Sequence, residues 1–185
     1  MGITYFRRFR MEFDLAAGVP ESPPLPFGYE LVPYSDALVR EHATAKFDSF
    51  RSELDADVFP CLSRQDGCLR LMREIVSRAA FVPEATWLLR HRDPASGLQS
   101  PVGTIQGLSV DGWGAVQNLG VVGDHRGKGL GSLLLLKAAA GFAVTGIRRM
   151  HLEVTTDNAA AVRLYEKLGF KKADVVYKAA DIVGA

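Results

Sequence analysis

Ala115–Val144, AVQNLGVVGDHRGKGLGSLLLLKAAAGFAV, is the stretch from which the fold can be read. Val116, Leu119, Val121 and Val122 form a short apolar run without helical spacing, which suits a buried strand. His125–Gly131, HRGKGLG, follows with three glycines and two further cations. The run SLLLLKAAAGFAV then supplies leucine and alanine, both strong helix formers. The order is strand, glycine-rich turn, helix. Glycines at such a junction let the main chain approach a ligand closely. The first turn of the helix leaves N–H groups unbonded, with the positive end of the helix dipole behind them. A turn of this kind suits an anion, most often a phosphate, and Arg126 and Lys128 add positive charge.

Three phosphate-binding patterns compete. The P-loop requires Gly, four residues, then Gly-Lys-Ser/Thr. Here Gly123 and Gly127 are separated by three residues and Lys128 is followed by Gly129, so that pattern fails. The dinucleotide fingerprint requires G-x-G-x-x-G and an acidic residue about 20 positions on. Gly127 and Gly129 fit it, Ser132 stands where the third glycine belongs, and Glu153 keeps the alternative open in weakened form. The third pattern, Arg/Gln-x-x-Gly-x-Gly/Ala, is matched in full by Arg126, Gly129 and Gly131. A second segment, Asn158-Ala-Ala-Ala-Val-Arg-Leu-Tyr165-Glu-Lys-Leu-Gly169-Phe170, fits Asn-x-x-Ala-x-x-Leu-Tyr-x-x-x-Gly-Phe. On these two segments, in this order, the chain resembles the GNAT superfamily of acyl-CoA-dependent N-acetyltransferases. The resemblance is clear from Pro101 to about Tyr177.

The resemblance implies an α/β fold with a mixed, mostly antiparallel central sheet flanked by helices on both faces. It implies one N-acetyltransferase domain over residues 1–185. Residues 1–28 form an N-terminal strand and Pro-rich loop, 29–82 acceptor-side helices, and 83–185 the acyl-CoA-binding core. The implied reaction moves an acetyl group from acetyl-CoA to a primary amine by direct attack, with no metal. The pyrophosphate is expected on the N–H groups of Arg126, Gly127, Lys128, Gly129, Leu130 and Gly131, with Ser132 in the first helical turn. Leu119, Gly120 and Val121 are expected to bond the pantetheine arm along an open strand edge, the Val121 N–H facing the thioester oxygen. Aligned N–H groups at a developing oxyanion are usually a large catalytic term.

Three side chains carry further expectations, each beside a plainer one. Asn158 either lies near the pantetheine or caps the helix that follows it. Tyr165 shares a helix face with Ala161 and Leu168, and the resemblance makes it the acid that protonates the departing thiolate. Its plainer role is core packing with a satisfied hydroxyl. Glu153 sits in Leu-Glu-Val, twelve residues before Tyr165, a spacing similar to that in enzymes that acetylate protein N-termini, where the glutamate is the base. Otherwise Glu153 pairs with a nearby cation such as Arg149 or Arg163; His151 and Asn118 are weaker candidates for the base. The competing functions are a non-catalytic acyl-CoA-binding module and a nicotinamide-dinucleotide binder. The acceptor stays open between a small-molecule amine and a peptide or protein amine, with the Glu153–Tyr165 spacing favouring the latter.

Composition narrows the partners. The net charge is +1 and the hydrophobic fraction 48%, enough for a core in a single domain of 185 residues. Arg7–Arg8 and Arg148–Arg149 are pairs rather than a basic tract, so no nucleic-acid partner is expected. No apolar run is long enough to span a membrane. Met1–Leu15 alternates instead of running apolar, so no signal peptide is expected, and Phe6 stands where a myristoylation signal wants Ser or Thr. Cys61 and Cys68, the two cysteines, lie seven apart and share a face if their segment is helical. Two buried thiols in a reducing, cytoplasmic setting are expected, and too few neighbours for zinc.

Along the chain, Phe9, Met11, Phe13 and Leu15 alternate with charged residues and read as a half-buried strand. Gly18–Gly28 holds four prolines and reads as a loop. The strand before it is expected to pair back onto the main sheet or with a second subunit of a homodimer. A short strand at Tyr29–Tyr34 precedes a helix from Ser35 or Asp36 to about Phe50, a break at Asp55–Pro60 and a helix from Leu62 to Phe81 ended by Pro83. His42, Asp48, Phe50, Arg51 and Asp57 are candidate acceptor contacts there. Strands follow at Thr86–Arg90, Val102–Val110 and Trp113–Val122, the last two joined by Asp111-Gly112. The glycine turn and its helix come next, then Arg149–Val154, Asn158–Leu168 and Phe170–Lys178.

Overall fold

The computed structural model describes residues 2–182. Among these residues, seven strands form one sheet: β1 (Gly2–Asp14), β2 (Tyr29–Pro33), β3 (Phe81–Arg92), β4 (Gln99–Val110), β5 (Trp113–Val121), β6 (Arg149–Thr155) and β7 (Lys171–Ile182). Their order across the sheet is β2-β3-β4-β5-β6-β1-β7. Every neighbouring pair is antiparallel except β5 and β6. Five helices accompany it: α1 (Val39–Phe50), α2 (Leu54–Val58), α3 (Gln65–Ser77), α4 (Leu130–Val144) and α5 (Ala159–Lys167). None of the described helices is long and apolar enough to cross a membrane.

Alternation along β4 assigns the two faces. Thr104 and Gln106 meet His42 and Lys46 of α1, whereas Gly103 and Gly107 abut Leu134 and Phe142 of α4. Helices therefore cover both faces, as the sequence resemblance implies. Leu133, Leu134, Leu135 and Leu136 are all buried, so α4 has no wet face in its first half. The sheet admits it by thinning: Gly107 and Gly114 make room for the Phe142 ring, and Gly141 lies against the Glu84–Ala85 main chain.

The N-terminal strand is longer than its alternating core suggests and starts at Gly2. It inserts between β6 and β7, with Arg10 opposite Glu153 on one side and Asp174 on the other. The Leu62–Phe81 helix is corrected at both ends. Pro60–Ser63 forms a tight turn, α3 begins at Gln65 and it stops at Ser77. Cys61 lies in that turn, half-buried, while Cys68 is buried in α3, so the two free thiols do not share a helix face. Pro83 ends no helix and sits inside β3. The strand bulges between Val82 and Trp87, where the missing proline N–H costs no ladder bond. Thr86 closes the gap, its hydroxyl donating to the Val82 carbonyl at 3.0 Å and accepting the Gly107 N–H at 3.2 Å. The break expected at Asp55–Pro60 is largely the short helix α2.

A Cβ at position 141 would overlap the Glu84 carbonyl, and main chain cannot rotate away as a side chain can. Gly141→Ala is therefore expected to lower stability by about 3 kcal/mol, the upper end of ordinary overpacking. Urea denaturation monitored by circular dichroism gives the midpoint shift.

Candidate active site

The parallel pair β5/β6 makes two rungs, Gly114 with Met150 and Ala115 with His151. Beyond them the strands part. A cleft of about 480 Å³ opens between Val116–Val121 of β5 and Leu152–Val154 of β6. The start of α4, the inward face of α5, the end of α1 and the α2 segment close it. Gly120 and Val121 of β5 pair with Thr104 and Gly103 of β4 on one edge, and residues 118–121 border this space on the other.

A bulge shapes that edge. Between Gln117 and Gly120 the β4/β5 register slips by one residue, and Asn118 takes φ +45°. This left-handed backbone is uncommon outside glycine, and asparagine tolerates it better than most residues. The Asn118 side chain is held from below. Lys46, fully buried in α1, donates to Asn118 Oδ1 at 2.9 Å and to Gln106 Oε1 at 2.6 Å. Gln106 Nε2 donates to Thr104 Oγ1 at 2.5 Å, and Thr104 Oγ1 also bonds His42 Nδ1 at 2.8 Å. The Lys46 ammonium has no carboxylate in this network, and burial lowers its pKa from 10.5 to about 7. Burial, then the Lys46 charge, lowers that of His42 from 6.5 to about 3. Gly120 is needed beside this network, because a Cβ there would press on Ser49 and Phe50.

At the other side of the cleft Gly127 and Gly129 take φ +76° and +77°, alternating with Lys128. Such alternation turns successive N–H groups towards one point. The first helical bond of this end runs from the Leu133 N–H to the Gly129 carbonyl at 3.0 Å. The N–H groups of Leu130, Gly131 and Ser132 therefore lie ahead of the helical ladder. A Cβ on Gly131 would reach Leu164 of α5 at 3.4 Å, so a residue no larger than alanine suits this helix contact. Tyr29 braces the outer side of the turn, its hydroxyl 2.7 Å from His125 Nδ1.

The two cations of the turn are engaged elsewhere. The Arg126 guanidinium donates to the Val121 carbonyl at 2.8 Å, the Glu53 carboxylate at 2.7 Å and the Ser49 carbonyl at 3.0 Å. Its own N–H bonds the Gly123 carbonyl at 3.1 Å. Lys128 bonds the Asp124 carbonyl at 3.1 Å and does not line the cleft. The capacity for an anion here rests on main-chain donors. Arg126 is the strut that ties the turn to β5 and to the end of α1.

Leu119, Gly120, Val121, Arg126, Gly127, Gly129, Leu130, Gly131, Ser132, Glu153, Asn158 and Tyr165 all border the cleft. Of the residues to which the sequence assigns catalysis or cofactor binding, Lys128 stands apart, as does His151, the weaker candidate for the base, whereas Asn118 borders the cleft. Asn158 does cap α5, accepting the Ala161 N–H at 3.2 Å, while also facing the space. Tyr165 is 8% exposed. Burial first, then the Asp55 charge, raises its pKa, with Arg8 opposing, so the phenol stays protonated. Glu153 pairs with neither Arg149 nor Arg163. Its partner is Arg8 of β1, whose guanidinium reaches the carboxylate at 3.3 Å and the Glu153 carbonyl at 2.9 Å. Arg8 also lies 4.9 Å from the Phe59 ring centroid.

Among the acceptor contacts expected on the early helices, only Phe50 borders the cleft. His42 is beneath the sheet, Asp48 pairs with Arg51 at 4.0 Å, and Asp57 faces solvent. Arg8, Asp55, Phe59 and Lys46 were not singled out. For Lys46 a signal exists: it stands four residues after His42 and four before Phe50, on the stripe that α1 turns inward. Arg8 and Asp55 carry none, because their neighbours are remote in sequence.

Residues 47–170 match the family model described as the Acetyltransferase (GNAT) family. A mycothiol acetyltransferase from Actinosynnema mirum is 33% identical over 183 residues, covering 87% of this chain and 51% of the relative. A GCN5-related N-acetyltransferase from Sphaerobacter thermophilus superposes with a TM-score of 0.68 at 24% identity, over 96% of this chain and 52% of that one. The ribosomal-protein-S18-alanine N-acetyltransferase of Escherichia coli shares the fold at a TM-score of 0.58 and 16% identity, over 85% of this chain and 96% of that one. The chain thus spans about half the length of the first two proteins.

The Lys46 network has a signature in stability. Between about pH 7 and 10.5 the unfolded chain holds a proton at this position that the folded chain has released, so stability rises with pH there. Cys68, raised from 9.0 to about 11, opposes this above pH 9. The melting temperature is expected to climb from pH 7 to 9 in the parent and to stay flat in Lys46→Met, by calorimetric scans across that range.

Proposed function

The chain belongs to the acetyltransferase (GNAT) family, and from that premise we propose that it transfers an acetyl group from acetyl-CoA to a primary amine, residues 1–185 acting as one domain. The observation that carries the reading is the pairing of an unladdered β5 edge with an anion cradle at the start of α4, both facing one cleft. Acetyl-CoA has the matching shape of chemistry: an amide-bearing pantetheine arm joined to a pyrophosphate. When bound, it supplies a thioester as the acyl donor.

The chain's own groups divide the remaining work. The N–H groups of Leu130, Gly131 and Ser132, with the two left-handed glycines before them, hold the pyrophosphate. The β5 edge from Leu119 to Val121 bonds the pantetheine amides as a further strand would. The Val121 N–H stabilises the oxyanion. Tyr165, protonated throughout the working range, donates to the departing thiolate. A non-catalytic acyl-CoA-binding module is disfavoured by a cleft that retains both this phenol and carboxylates beside it.

The relative named for mycothiol favours a small-molecule acceptor, since it is a sequence relative over most of this chain. The likeness to the ribosomal-protein acetyltransferase is one of fold. The Glu153–Tyr165 spacing favours a peptide or protein amine where Glu153 is the base, and here that carboxylate is paired with Arg8.

Acetyl-CoA titrated calorimetrically into the protein is expected to bind, with NADH and ATP silent. Gly129→Glu should abolish that heat, because it places a charge and a side chain at a left-handed position of the cradle. Retained affinity would move the cofactor elsewhere. Tyr165→Phe should leave the heat intact and slow transfer by about 100-fold. Unchanged turnover would remove Tyr165 from the acid role.

A further inference from the structure

Among the described residues, five charged side chains line the cleft: Arg8, Arg126, Glu53, Asp55 and Glu153. Four of them cancel in pairs. Arg126 bonds Glu53 at 2.7 Å and Arg8 bonds Glu153 at 3.3 Å. Asp55 is left over. Among the described residues its carboxylate makes no ion pair within 4.0 Å and no hydrogen bond, although the residue is half-buried. The net charge of the cleft wall is therefore one negative charge, and it resides on Asp55.

Its position is specific. Asp55 occupies the first turn of α2, the segment that closes the acceptor end, between the Glu53–Arg126 strut and the Phe59 ring under Arg8. Its charge is felt at the Tyr165 hydroxyl, on the opposite wall. The titratable and charged groups facing it are Arg8 from β1, Glu53 ahead of α2 and the neutral Tyr165 phenol from α5, with Glu153 behind Arg8 and Lys178 of β7 on the Phe59 ring. An amine arriving at neutral pH is an ammonium ion and needs one unengaged anion.

We propose that Asp55, rather than the arginine-bound Glu153, receives the acceptor as an ammonium ion and takes its proton. This rests on the acetyltransferase reading above and extends it to a further catalytic residue and to cationic primary amines as the substrate class. One ammonium N–H bond breaks and the proton passes to the Asp55 carboxylate, which later returns it to solvent. The freed nitrogen lone pair forms the C–N bond to the thioester carbonyl. As the C–S bond breaks, the thiolate takes the Tyr165 proton, and Tyr165 is restored by the second proton of the attached nitrogen. Burial, with Arg8 opposing and Glu53 assisting, raises the Asp55 pKa from its ordinary value, which improves it as a base.

The test compares Asp55→Asn and Glu153→Gln with the parent, using spermidine, tyramine, glucosamine and alaninamide as probes. Acetyl-CoA affinity, measured calorimetrically, is expected to be unchanged in Asp55→Asn, which is isosteric and breaks no side-chain bond. Its kcat/KM for the acetylated probes should fall by about 100-fold, with the acid limb of the pH profile lost. Glu153→Gln should lose less than about tenfold and keep that limb. A loss below about tenfold in Asp55→Asn, or an acid limb left in place, overturns the assignment. A parent protein that binds acetyl-CoA yet acetylates none of the four amines overturns the substrate class. Failure of the parent to bind acetyl-CoA overturns the acetyltransferase reading, and this inference with it.

Discussion

The separation of β5 from β6 after two shared rungs is the constraint on which the molecule turns. Main-chain N–H and C=O groups are obligatory hydrogen-bonding groups, and a strand torn from its neighbour inside a protein leaves a row of them without partners. This chain fills part of the row itself: the Arg126 guanidinium takes the Val121 carbonyl. The rest faces the cleft, which is polar there because of its backbone rather than its side chains. α5 roofs the gap on one side, and the bulge at Asn118 sets how the open edge is tilted. A buried lysine under that bulge has a physical rationale: a left-handed asparagine needs something to hold it, and Lys46 supplies donors without adding a negative charge to the cleft floor.

Electrostatics in the cleft are arranged by cancellation. Each arginine that borders the space is matched to a carboxylate, so neither presents an unpaired charge to it. The start of α4 therefore offers fixed dipoles of the main chain, which need no reorganisation, and the opposite end retains a single negative charge among the described residues. A polarity runs along one trough, from main-chain donors at the start of α4 to a carboxylate on α2.

Much of this was legible in the sequence because it is local. The strand–turn–helix from Val116 to Val144 and the segment from Asn158 to Phe170 state their conformations through glycine spacing, capping and helix-forming residues within a few positions. The mixed, mostly antiparallel sheet follows from them by resemblance. What was not legible is what depends on distant pairs. Arg8 meets Glu153 across 145 positions, so no spacing rule could link them or remove Arg149 and Arg163 from consideration. Pro83 reads as a helix stop, and only the β3 bulge, patched by Thr86, shows why a strand accepts it. Arg126 and Lys128 read as phosphate cations from composition, while their side chains turn to carbonyls and Glu53. Asp55 lies in a stretch whose sequence reads as a break, and a side chain without partners among the described residues announces itself only once its neighbours are known to be paired off.

The seat of β1 between β6 and β7 has a consequence for biosynthesis. The ribosome makes this strand before the two neighbours that enclose it, so Phe9, Met11 and Phe13 wait for more than a hundred residues before they can be buried. Contacts of such long separation are slow to form, and an apolar strand left waiting is open to wrong partners. The alternation of those residues with Arg8, Arg10, Glu12 and Asp14 places a charge at every second position of the waiting strand. Charges so placed disfavour association of the segment with wrong partners before the rest of its sheet is synthesised.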